Sequence, residues 1–105
     1  MNEERRKKIV EVTQALLSGR FGLIESAREL TRTRPGSTSE QDPDLNLFEQ
    51  IDIQTHDLPI GPVRKEWDEG ALKKKDQEIQ KQEALFRESA TAAAQRILKR
   101  YGLGT

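Results

Sequence analysis

The residues with the type and spacing to do chemistry crowd the middle of this chain. The sole histidine, His56, is followed by Asp57, a pairing that suggests an imidazole base with an orienting carboxylate. Adjacent side chains rarely meet for that task, and a triad also needs a positioned nucleophile. The hydroxyls on offer, Ser37, Thr38 and Ser39, sit in a turn-rich stretch that makes a poor scaffold for fixed geometry. Cysteine is absent, which excludes disulfides, thiolate nucleophiles and cysteine-based zinc or iron–sulfur sites. Phosphate cradles fare no better: GRFG is too short, and PIGP places proline where backbone donors are needed.

Asp76 and Glu83 share a helical stripe and invite a metal or acid–base reading. Seven residues at 1.5 Å rise set their backbones about 10.5 Å apart, too far for one ion without ligands from elsewhere. The expectation is that both acids pair with basic residues of the first helical hairpin or of the VRK stretch at 63–65. No catalytic residue, cofactor or metal ligand is expected. Arg64 and Trp67 lie three apart on one turn, and arginine and tryptophan are enriched where proteins meet. In a chain that is only 33% hydrophobic, however, a lone tryptophan is expected first as a core plug.

Charge is layered. Residues 1–35 hold eight Lys/Arg against five Asp/Glu, residues 36–63 hold six acids and no base, and residues 64–105 hold ten bases against seven acids. The formal net charge is zero, and no broad nucleic-acid footprint follows. The acidic belt either lies across the basic arms and is neutralised there or is offered to a basic partner, where it would steer encounter. The candidate interaction surface is therefore Asp42, Asp44, Glu49, Asp52, His56, Asp57, Arg64 and Trp67.

These residues need elements to position them. Ile9, Val12 and Leu16 recur at helical spacing in a helix over 3–18, with Gly19 as its stop. Leu23, Ile24, Ala27 and Leu30 mark a second helix that ends before Pro35, and the short link implies a hairpin. Residues 35–42 read as a flexible loop. Asp42 and Pro43 begin a short helix with an acid at N-cap and proline at N1, carrying Leu45, Leu47, Phe48 and Ile51. Residues 52–62 read as an extended crossover loop, followed by one helical turn that aims Trp67 inward. Asp68 caps a long proline-free helix to residue 101, where Leu72, Ile79, Phe86 and Ala93 recur every seven residues. The fold class is all-α: an N-terminal helical hairpin packed on one long C-terminal helix, in a single domain over residues 1–105.

At LLSGRFGLIESAREL, HDLPIGPVRKEW and ALKKKDQEI the chain resembles a group of small uncharacterised bacterial proteins, across about residues 9 to 80. The resemblance implies a bacterial source and a self-contained domain, and no catalytic residues. No apolar run approaches the ~20 residues that span a bilayer, and the N-terminus lacks the apolar core of a secretory signal. The expectation is a cytoplasmic protein-binding or regulatory module, with immunity or antitoxin proteins as one concrete version and the partner a second copy or another chain. The alternative is a nucleic-acid-associated protein, with phosphate contacts from Arg5, Arg6, Lys7 and Lys8 and from Lys73, Lys74 and Lys75, provided the two groups converge.

Overall fold

The computed structural model describes residues 3–33 and 42–102; the loop expected at 35–42 lies outside them except for Asp42. The first helix, α1 (Glu3–Leu17), has both of its opening acids in the first turn, where they meet the positive end of the helix dipole. It ends in a Schellman turn. Gly19 takes φ +82°, Arg20 N–H donates to the Ala15 carbonyl and Gly19 N–H to that of Leu16, which satisfies orphan carbonyls of the last turn. The second helix, α2 (Leu23–Thr33), buries Leu23, Ile24, Ala27 and Leu30, the stripe read from the sequence.

Asp42 starts α3 (Pro43–Gln54) as expected: its carboxylate accepts from the Asp44 and Leu45 amides, with proline in the first turn. The helix then runs three residues past the expected boundary. Residues 52–54, read as extended chain from the alternation in IDIQ, are its last turn. Thr55 closes it, its amide and hydroxyl both donating to the Ile51 carbonyl. The crossover is shortened at its far end too, since Gly61–Glu66 forms a 3₁₀ helix. Asp68 caps α4 (Glu69–Tyr101) through the Gly70 amide.

The four α-helices of the described residues close a ring in which α1 packs on α2, α2 on α3, α3 on α4 and α4 back on α1. The Arg6 guanidinium donates to the Tyr101 carbonyl, and Asp44 pairs with Arg96 and Arg100. Both α1 and α3 therefore begin beside the C-terminus of α4 and run antiparallel to it. The core comprises Ile9 and Val12 of α1, Leu23, Ala27 and Leu30 of α2, Leu45, Phe48 and Ile51 of α3, and Ala90, Ala93, Ala94 and Ile97 of α4. Phe48 is the largest fully buried side chain. The long C-terminal helix does dock on the N-terminal pair, through its C-terminal half.

The other half projects. At the level of Glu83, which lies beside Gly22, the α1–α2 turn closes the bundle. Residues 69–82 extend about 21 Å further at 1.5 Å per residue. This makes the molecule 47 Å long and 24 Å across, with a radius of gyration of 14.2 Å, against about 13 Å for a compact chain of this length. The heptad line splits at that level. Ala93 is buried and Phe86 packs against the core, whereas Leu72 and Ile79 are only half-buried.

Trp67 does not plug the core. It is half-buried, stands outside the core cluster, and adopts an extended conformation just after the 3₁₀ helix. That helix buries none of its own residues, because it accompanies the projecting half of α4, where no third helix among the described residues covers it. Truncating the true plug, Phe48→Ala, is expected to cost about 3–5 kcal/mol. Trp67→Ala should cost well under half of that. Urea unfolding of the two variants checks the order.

Candidate interaction surface

The acidic belt is largely turned inward. Asp42 and Asp44, the N-cap and second residue at the start of α3, are buried. Asp44 receives Arg96 Nε at 3.0 Å and Arg100 at 2.8 Å. Asp42 accepts from Arg100 and from the Tyr101 hydroxyl, each at 2.7 Å. Burial pushes both carboxyls up. For Asp42 it is outweighed by the Tyr101 and Leu45 hydrogen bonds and the Arg100 charge, and for Asp44 by hydrogen bonds from Arg96 and Arg100. Both are held below the usual aspartate value of 3.8. Burial, together with donation to Asp42, pushes Tyr101 up to about 12, so its hydroxyl keeps its proton and remains a donor.

Asp52 turns toward α2, 3.8 Å from Arg28. Arg28 does more, donating to the Thr55 carbonyl at 2.6 Å and the Leu58 carbonyl at 3.0 Å. A cation at these acceptors suits the negative end of the α3 dipole and pins the root of the crossover, where Leu58 and Pro59 are buried. Asp42 and Asp44 therefore leave the candidate surface, because Asp42 is buried under Arg100 and Tyr101 and Asp44 under Arg96 and Arg100, where neither is available to a partner. Glu49 and Asp52 are half-buried.

His56 and Asp57 are exposed. His56 Nδ1 lies 2.9 Å from the Ile53 carbonyl, which engages it with α3 rather than with Asp57. Asp57 edges a shallow groove between the end of α3 and α4, shared with Gln54, Leu58, Glu78, Lys81 and Gln82. Arg64 turns away from both, forming a two-pronged ion pair with Asp76 at 2.8 and 3.0 Å. The expectation that Asp76 would pair with VRK is met by this contact, while Glu83 sits by the α1–α2 turn, lining a groove with Phe21 and Arg87. Among the described residues, no three His, Asp or Glu side chains gather as a metal ion would require.

The two basic groups do not converge. Arg5, Lys7 and Lys8 are exposed at the end of the molecule marked by the Arg6–Tyr101 contact. Lys73, Lys74 and Lys75 lie on the projecting end of α4, about 40 Å away along that helix.

Several important residues were not singled out from the sequence. Arg28, Arg96, Arg100 and Tyr101 read there as ordinary charged or terminal helix positions. The spacing of Arg96 and Arg100, four apart on one face, was the available signal, and it meant something only with Asp42 and Asp44 opposite. Among the described residues, the large apolar side chains left exposed are Leu17, Ile53, Val63 and Leu85. Leu17 ends α1, Ile53 lies in the last turn of α3, Val63 lies on the 3₁₀ helix beside the projecting half of α4, and Leu85 is on α4 close to Glu83, where the bundle stops.

Compared with known proteins, the chain matches no family model, no curated protein and no solved structure. No helix among the described residues is long and apolar enough to cross a membrane.

The clasp at Asp42 and Asp44 sets a pH dependence. Their folded-state values lie below the unfolded ones, so the unfolded chain binds more protons as pH falls. The stabilisation is complete above the usual carboxylate range and is lost as pH drops through that range toward the lower folded values. Asp44→Asn should cost about 1–3 kcal/mol at pH 7 and should flatten the decline between about pH 5 and pH 2. Thermal melts of both proteins across that interval provide the check.

Proposed function

We propose that this chain is a non-catalytic protein-binding module of the cytosol, and that its contact surface lies at the end of the bundle from which α4 projects. The supporting observation is the placement of the exposed apolar side chains. Ile53 is 62% exposed and Leu85 69%, in rigid helices, on a chain with little apolar material to spare. Single exposed leucines are ordinary on protein surfaces. Here, among the described residues, the four large ones stand at that end of the bundle or beyond it, while the end at Tyr101 is sealed by arginine–aspartate pairs.

A partner would meet apolar side chains with charged and polar groups around them, the anatomy of a protein contact. Asp57 and His56 lie at its margin, and Arg64 is occupied by Asp76. An immunity or antitoxin role would therefore act through this apolar end and not through a displayed acidic belt. The phosphate-binding alternative lacks a joint surface, since the two lysine- and arginine-rich groups stand at opposite ends of α4.

The test is affinity capture from the native cell with the wild-type chain and with Ile53→Asp and Leu85→Asp. Both positions are exposed, so each variant should keep its stability within about 0.5 kcal/mol and lose the captured partner. Retention of the same partner by both variants would remove this surface from consideration.

A further inference from the structure

Beyond the bundle, residues 62–67 accompany the projecting half of α4 and are held there thinly, while Ile60 and Gly61 still line a groove with Arg28 and Arg32 of α2. No residue of the 3₁₀ helix is buried. Among the described residues, its one polar side-chain tie to another helix is Arg64 on Asp76, with a second Arg64 bond folding back to the Pro59 carbonyl at 3.1 Å. The two partners are 35% and 43% exposed, and ion pairs this open contribute little and are screened by salt. The flanks are firmer. Leu58 and Pro59 are buried on one side, and Asp68 caps α4 on the other. Gly61, between Pro59 and Pro62, has φ +79°, a backbone state that favours glycine and marks where the segment turns.

Asp76 shares its helix face with Leu72, four residues before it, and Ile79, three after it. Both are half-buried and continue the line of Phe86 and Ala93, which are packed in the bundle. We infer that residues 62–67 are a strap latched by Arg64 on Asp76, and that it opens from α4 with the bundle intact and uncovers Leu72 and Ile79. Opening extends the apolar contact surface along two further turns of α4. What it serves rests on the protein-binding reading above; the latch itself does not.

Native-state hydrogen exchange on the whole chain tests the latch without any partner. The Trp67 amide, bonded to the Arg64 carbonyl at 3.2 Å, should exchange through local opening, at least about a hundredfold faster than the amides of Ala93, Ala94 and Ile97. Arg64→Met and Asp76→Asn should each speed Trp67 exchange roughly threefold and leave the bundle amides unchanged. The charge swap Arg64→Asp with Asp76→Arg should return it to the wild-type rate. Exchange of Trp67 in the same cooperative step as Ala93 would overturn the strap, and an unaltered Trp67 rate in both single variants would overturn the latch. Partner capture by Ile53→Asp and Leu85→Asp is a separate readout, so the two ideas fail independently.

Discussion

Phe48 can fill the centre of this bundle because α4 presents Ala90, Ala93 and Ala94 there, with Ile97 below them. A chain that is one-third hydrophobic and carries five per cent aromatics cannot build a thick interior. It closes a thin one by bringing backbones near each other around small side chains, so that one ring and a few branched residues occupy the space at interior density. The alanines also limit how far the core extends. Toward the N-terminus of α4 they give way to Glu83, Gln82 and Asp76, and the surrounding helices stop at that level.

Electrostatics then fixes the two ends differently. At the C-terminal end of α4, Arg96 and Arg100 face the buried start of α3, and Tyr101 adds a neutral donor. Burying carboxylates is tolerable because each is paired and hydrogen-bonded, and Asp42 satisfies amide donors of α3 in the same act. The opposite end has Arg28 on the Thr55 and Leu58 carbonyls, just past α3, and the open Arg64–Asp76 pair. An apparently acidic middle thus becomes internal neutralisation at one end. The other end is left with apolar side chains and a lightly held segment.

Much of the helix plan could be read from residues one at a time. Gly19 as a stop, Asp42 and Pro43 as a start and Asp68 as a cap each work through hydrogen bonds within a few residues, and all appear where the sequence puts them. The misreadings came from long-range contacts. Residues 52–54 alternate like extended chain, yet Ile51 also follows Phe48 at helical spacing, and Arg28, more than twenty residues away in sequence, caps the helix they finish. A lone tryptophan in a chain with little apolar material is expected inside, yet among the described residues no third helix reaches the level of α4 where Trp67 stands. The candidate surface was legible only in part. Asp42 read as a helix cap and Asp44 as an acid of the belt like any other until α4 covered them, and Ile53 and Leu85 were indistinguishable from core positions.

By itself the sequence determined the helices: their number, their caps, the proline-free length of α4 and the absence of thiol chemistry, all consequences of short-range sterics, hydrogen bonding and composition. Only the tertiary structure decided which charges cancel, which apolar residues remain in water and where the bundle ends. Those outcomes depend on groups far apart in the chain meeting at a few ångströms. A helix's own periodicity specifies which residues share a face, but what covers that face is set by where its neighbours stop.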